Sequence, residues 1–179
     1  KYRQLGRSAL KVSEVCLGTM NFGPRTSRQD SFAILDAAVE AGVNFIDTSD
    51  IYGMGRSEEA IGGFLKARPE ARDQMVICTK GGIAPGPQGR VYDNSAAYLE
   101  TALDASLRRL GVDCVALYYV HRREEARPIE EVVQTLQGFV KKGKIRSYGF
   151  SEIAPSSLRR AAALGGDLAA VQSEYSLAT

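Results

Sequence analysis

Five apolar runs along this chain each close on a group that can hold a proton or hydrogen-bond a ligand: Asp47 (followed by Thr48 and Ser49), Lys80, His121, Ser151 and Gln172. A carboxylate, an ammonium and an imidazole are the groups of general acid–base chemistry, and a hydroxyl and an amide are groups that orient a bound molecule. A polar residue ending one apolar run is ordinarily a strand meeting water. Five successive runs doing so, with the only histidine of the chain among them, mark a candidate site.

Counts and spacing argue against other chemistries. One histidine and the widely separated Cys16, Cys78 and Cys114, with no CxxC pair, cannot assemble a zinc site, so no metal is expected. The cysteines lie in or beside apolar segments and read as reduced core residues, which points to a cytoplasmic location. Gly53-Met54-Gly55 mimics the opening of a dinucleotide fingerprint, but the third glycine position holds Glu58, whose carboxylate would repel pyrophosphate. Gly62-Gly63 leads to no phosphate-loop lysine. Lys plus Arg exceeds Asp plus Glu by 23 − 21 = 2, which gives no field for nucleic acid or an anionic membrane. No apolar run approaches the ~20 residues that span a bilayer, and the opening Lys-Tyr-Arg-Gln-Leu-Gly lacks the apolar core of a signal peptide.

The elements that must position these groups alternate along the chain. Tyr2 to Ser13 reads as a β-hairpin turning near Gly6-Arg7-Ser8. Strands follow at Val15–Met20, Asn44–Ser49, Met75–Lys80, Val115–His121, Ser147–Ser151 and Ala169–Ser173, apolar enough for burial on both faces of a parallel sheet. Between them, Ser27 and Ser95 are N-cap residues, and Gly42 and Gly111 end their helices. Pro128 fits the first position of a helix with Glu130 and Glu131 in its first turn and Lys141, Lys142 before Gly143. Ile129, Val132, Val133, Leu136 and Val140 face the sheet from that helix, as Leu99, Ala102, Leu103, Leu107 and Leu110 do from the preceding one. Two more helices fall at about Ser57 to Lys66 and Ser156 to Leu164. Five βα units and a sixth strand make a parallel α/β architecture, either an open doubly wound sheet or a (β/α)8 barrel. In both, active sites gather at the C-terminal strand ends. The 179 residues, 44% hydrophobic and 25% charged, suit one globular domain. They fall about two units short of a whole barrel of ~250 residues.

The motifs resemble those of the aldo-keto reductases, in their microbial and plant-type branch. Phe45-Ile46-Asp47-Thr48-Ser49-Asp50-Ile51-Tyr52-Gly53 is similar to the family signature, with Glu58 and Gly62 following at its spacing. Ile77-Cys78-Thr79-Lys80 resembles the lysine strand, and Leu117-Tyr118-Tyr119-Val120-His121 the histidine strand. Leu17-Gly18-Thr19-Met20, Gly143-Lys144-Ile145-Arg146 with Gly149-Phe150-Ser151, and Gln172-Ser173-Glu174-Tyr175-Ser176 match in order, so the resemblance covers essentially the whole chain. It implies an incomplete (β/α)8 TIM barrel: an N-terminal hairpin, about five βα units and a sixth strand, forming a single domain over 1–179 that lacks the C-terminal barrel units.

The resemblance implies an NAD(P)H-dependent oxidoreductase that reduces aldehydes or ketones to alcohols, with Asp47, Tyr52, Lys80 and His121 as its catalytic set. Tyr52 would be the general acid. An ordinary phenol, with a pKa near ~10, needs neighbouring positive charge to release its proton easily. Lys80 would supply that charge, Asp47 would pair with Lys80, and His121 would hydrogen-bond the substrate oxygen. NADPH is the expected cofactor, with Thr19 and Met20 lining its nicotinamide end, Asp47 reaching the ribose, and Ser151 and Gln172 holding the carboxamide. Glu152 stands where many members have Asn. Asp50 reads as a loop residue rather than the catalytic carboxylate, Tyr118 and Tyr119 as packing residues, and Arg122–Arg127 and Arg159-Arg160 as solvated charge. Two other readings stay open. One is a cofactor-binding regulatory subunit of the potassium-channel β-subunit type. The other is a truncated, inactive reductase, should the chain end at Thr179. The expected partner is a small carbonyl substrate. The physiological carbonyl and the oligomeric state are not encoded in this segment.

Overall fold

In the computed structural model, which describes residues 1–87 and 89–177, the apolar runs pair as one curled parallel sheet. The chain end at Ala178 and Thr179 lies outside the described residues. The hairpin strands β1 (Tyr2–Gln4) and β2 (Lys11–Ser13) come first. The sheet strands β3 (Cys16–Gly18), β4 (Phe45–Asp47) and β5 (Val76–Gly81) follow. A second hairpin, β6 (Ile83–Gly86) and β7 (Gly89–Tyr92), precedes β8 (Val115–Val120), β9 (Ile145–Ser151) and β10 (Leu168–Gln172). The sheet order is β3-β4-β5-β8-β9-β10, each neighbour parallel. Helices α1 (Arg28–Glu40), α2 (Arg56–Ala67), α3 (Ala96–Leu110), α4 (Ile129–Lys141) and α5 (Pro155–Ala163) make the crossovers. This is six strands of a (β/α)8 barrel, curved but open.

Strand parity divides the core into two layers. Ile46, Ile77, Tyr118, Val120, Tyr148 and Phe150 face outward, into the cluster that α1 to α5 cover with Leu35, Ile61, Phe64, Leu103, Val132 and Leu136. Burying each such aliphatic side chain contributes roughly 1.5–3 kcal/mol. Cys78, Leu117 and Tyr119 face the concave side, where Leu10 of the first hairpin packs on them. That hairpin closes the N-terminal end of the strands, and the Tyr2 hydroxyl donates to the Gly42 carbonyl at 2.9 Å. Gly149 makes room on this face, because a Cβ there would sit 2.7 Å from the Tyr119 ring. Asp47, Lys80, His121, Ser151 and Gln172 occupy the same parity as the concave layer. Strand pairing therefore points all five to one place.

Caps fall where the residue types require. Ser27 and Ser95 accept from Asp30 and Tyr98 amides, and Gly111 ends α3 at φ 67°. Four expectations shift. Pro128 is the cap residue rather than the first helical one: its ψ of 132° is extended and α4 starts at Ile129. Val140 is only partly buried, and Phe139 takes the core position. Burial on both faces holds for β5, β8 and β9 but not for β3 and β10, which have one neighbour each. Cys16, on the edge strand β3, is exposed and Cys114, just before β8, is half-buried, leaving Cys78 as the one cysteine used as a core residue.

Candidate active site

Lys80 is fully buried at the end of β5, and its ammonium makes three contacts. It donates to Asp47 Oδ2 at 2.6 Å, to the Thr48 carbonyl at 3.0 Å and to the Tyr52 hydroxyl at 3.1 Å. Burial alone would push Lys80 down; the Asp47 carboxylate outweighs it and holds Lys80 above its ordinary value. The ammonium also lies 4.8 Å from the centroid of the Tyr52 ring.

Tyr52 is not on a strand. It opens a 3-10 turn, Tyr52–Gly55, in which Gly53, Met54 and Gly55 all have positive φ (59°, 58° and 90°). Two glycines make this left-handed path accessible, and it turns the chain from β4 into α2 directly above Lys80. Arg109 of α3 packs beneath the turn so closely that a Cβ on Gly55 would sit 2.7 Å from its Cδ. Arg109 is held in turn by Glu58, which is fully buried. Its Oε2 accepts from Arg109 Nε at 2.7 Å and its Oε1 from the Thr79 hydroxyl at 2.5 Å. Glu58 thus ties the Tyr52 turn to the strand that carries Lys80.

His121 follows β8, its backbone amide donating to the Gly81 carbonyl at 2.8 Å. Its ring stands edge-on to Tyr52, with centroids 5.8 Å apart at 84°. Nδ1 is 2.9 Å from Ser49 Oγ. Burial, then Lys80, Arg122 and Arg90, push His121 down to about 4, so the ring is neutral near pH 7.

A cleft of about 570 Å³ opens over this cluster, lined by Met20, Tyr52, His121, Ser151, Glu152 and Gln172 among others. Its size suits a small molecule. Gln172 Nε2 donates to Asp47 Oδ1 at 3.2 Å. Glu152 adopts φ 52°, a left-handed conformation in which Asn is enriched, and its carboxylate accepts from the Glu174 amide at 2.9 Å. Thr19 departs from expectation. Its side chain is fully buried, donating to the Asp47 carbonyl at 2.9 Å and lying 2.8 Å from Ser57 Oγ. It therefore supports Asp47 from below instead of lining the cleft. Arg122 is not merely solvated charge, since it stands on the cleft rim beside His121. Ser57 and Arg109 were invisible as site residues in the sequence, because each acts through a partner on another element, while Ser49 and Asp50 read only as a strand end and a loop residue.

The sheet and its site are those of a (β/α)8-type chain with polar groups gathered at the C-terminal ends of its strands. The chain belongs to the aldo/keto reductase family, whose profile matches residues 14–179. It is 42% identical over 164 residues to the Schizosaccharomyces pombe protein named aldo-keto reductase yakc, NADP(+), covering 90% of this chain and 47% of that one. It is 37% identical over 183 residues to the 6-dehydroglucose reductase of Novosphingobium aromaticivorans, covering 98% and 59%. A Bacillus halodurans aldo-keto reductase solved in its holo form superposes with a TM-score of 0.87 at 34% identity, covering 98% of this chain and 57% of that one. The chain thus spans about half the length of the curated relatives it matches. Among the described residues, no helix is long and apolar enough to cross a membrane.

Proposed function

We propose that this chain carries the acid–base half of a nicotinamide-dependent reductase of aldehydes or ketones, as one unit of a larger barrel. The observation that carries the reading is the chain of contacts from Asp47 to Lys80 to the Tyr52 hydroxyl, on the floor of a cleft that His121 also faces. The residues present fit a nicotinamide: Ser151 and Gln172 offer a hydroxyl and an amide for a carboxamide, Asp47 a carboxylate for a ribose, and Met20 an apolar wall. Hydride for the carbonyl carbon is what a reduced nicotinamide supplies when bound.

The remaining chemistry falls to side chains of this chain. Tyr52 gives its phenolic proton to the carbonyl oxygen as the alcohol forms. Lys80 places a fixed positive charge 3.1 Å from the oxygen on which the phenolate develops. Asp47 keeps that charge in place at 2.6 Å, so the buried ammonium need not seek water. His121, neutral, donates a hydrogen bond to the same substrate oxygen and aligns it with Tyr52. The cofactor is taken as NADPH, which the name of the yeast relative supports. The three free thiols fit a cytoplasmic setting.

Tyr52→Phe in the full-length protein tests the reading. Carbonyl reduction is expected to fall about 10²–10⁴-fold, the usual worth of a positioned acid, while NADPH binding measured by fluorescence is retained. Full turnover by the variant would remove Tyr52 from the role of acid. Parallel assays with NADPH and NADH decide the cofactor.

A further inference from the structure

The role proposed for His121 makes a demand on its protons. A neutral imidazole has one N–H. To donate to a substrate oxygen from Nε2, the ring must leave Nδ1 bare, and Nδ1 lies 2.9 Å from Ser49 Oγ. Ser49 must then be the donor to Nδ1. Its single hydroxyl proton has competitors, because Asp50 Oδ1 lies 3.1 Å from the same oxygen and the Lys80 carbonyl 3.4 Å.

We propose that Asp50 is a positioning residue that sets the tautomer of His121 through Ser49. With a proton on Asp50, the carboxyl donates to Ser49 Oγ, Ser49 donates to Nδ1, and His121 carries its hydrogen on Nε2. With Asp50 ionised, the Ser49 hydroxyl turns to the carboxylate and Nδ1–H donates to Ser49 Oγ. Nε2 is then a bare acceptor, unable to support a developing alkoxide. The change releases one proton, from Asp50 to solvent; the imidazole keeps its count, losing a hydrogen at Nε2 and gaining one at Nδ1 by exchange with water. This inference rests on the proposed reading of His121 as donor to the substrate.

The surroundings of Asp50 suit a group that changes charge near neutrality. Glu58 approaches it from α2, Arg109 and Tyr98 from α3, and Tyr118 from β8. Burial and the Glu58 carboxylate push Asp50 up to about 7, against the Ser49 hydroxyl, the Ile51 amide and Arg109. Burial, and then Lys80, Arg122 and Arg90 around it, keep the His121 ring neutral on both sides of that value. Asp50 also lines a separate cleft of about 520 Å³ beside the Tyr52 turn, with Met54, Tyr98 and Arg109, so its proton has a route to solvent.

In the full-length protein, ¹⁵N-histidine labelling reads the His121 tautomer by long-range proton–nitrogen NMR, its signals identified by their absence from His121→Gln. The wild type is expected to show Nε2–H at pH 5.5 and Nδ1–H at pH 8.5, with a midpoint near that of Asp50. Asp50→Asn, whose amide can donate to Ser49 permanently, is expected to show Nε2–H throughout, and Ser49→Ala to lose the midpoint. One unchanging tautomer in the wild type, or the wild-type midpoint in Asp50→Asn, would overturn the proposal. Should a variant not fold, the wild-type titration alone decides. In turnover, the wild-type kcat on an uncharged ketone should drop about tenfold from pH 6 to pH 8, as for one essential proton, and Asp50→Asn should not share that drop. A tautomer switch without the kcat drop would count against His121 as donor while leaving Asp50 in control of the ring.

Discussion

Gln172 and Asp47 lie 125 residues apart in the chain, and the Gln172 amide donates to Asp47 Oδ1 at 3.2 Å. The bond joins β10, at one edge of the sheet, to the carboxylate on β4 that pairs with Lys80, so strands far apart in the open barrel share one polar cluster. Asp47 Oδ2 is taken by Lys80, and Gln172 occupies the other oxygen.

Replacing Gln172 by Glu would put a second carboxylate against Asp47. The expected outcome is a lower unfolding midpoint in urea and at least tenfold weaker nicotinamide binding by titration calorimetry. Gln172→Met removes the bond without adding charge and should cost about 1 kcal/mol. Equal stability of the Glu and Met variants would show that the two side chains do not feel each other.

The Lys80–Asp47 pair should behave as a unit. Lys80→Met leaves Asp47 nearly buried without its cation, and breaking such a pair costs about 3–5 kcal/mol. Adding Asp47→Asn to Lys80→Met should recover part of that loss and none of the carbonyl reduction. A double-mutant cycle by urea unfolding gives the coupling; strictly additive losses would mean that the pair contributes nothing as a pair.

Much of this cluster is legible in the sequence. Asp47, Lys80, His121, Ser151 and Gln172 each close an apolar run, and a parallel α/β sheet gathers the C-terminal ends of such strands at one place. The hairpin β6–β7 was not legible. Its strands have four residues each, and the chain enters it through Gly82 at φ 103°, a local turn that leaves no periodic signal. Nor could the sequence separate Thr19, whose hydroxyl is held by Asp47 and Ser57, from Met20, which is 62% exposed at the cleft. Both follow Gly18 at the end of the same strand, and only tertiary contacts decide which side chain meets a ligand. Asp50 read as a loop residue, because its partner Ser49 is adjacent in sequence while the group it is proposed to govern, His121, comes from another strand.

Glu58 gives a further test of how the Tyr52 turn is held. Glu58→Ala removes the acceptor of both Thr79 and Arg109, and Arg109, a quarter exposed, can turn to water. The expected cost is roughly 2–3 kcal/mol, below that of a fully buried orphaned charge. With the turn loosened, reduction should fall more in kcat than in KM, since Tyr52 moves relative to Lys80 while the cleft walls remain. Loss of stability with an unaltered kcat would separate Glu58 from the placement of Tyr52.

The position of Asp50 also fixes a sign for stability against pH. Its folded value of about 7 lies above the ordinary carboxylate value of 3.8, so the folded chain binds this proton more tightly than the unfolded one. Below pH ~4 both states hold the proton and the contribution is complete. Between pH 4 and 7 the unfolded chain ionises first, so rising pH withdraws stability, and above pH 7 the loss is complete. For a half-buried carboxyl the loss is on the order of 1–3 kcal/mol. Asp50→Asn lacks the titration, so its stability relative to wild type should improve from pH 4.5 to pH 7.5 in matched urea unfolding experiments. A constant difference between the two proteins over that range would show that Asp50 holds its proton no more tightly folded than unfolded, and would remove the pH dependence assigned to it above.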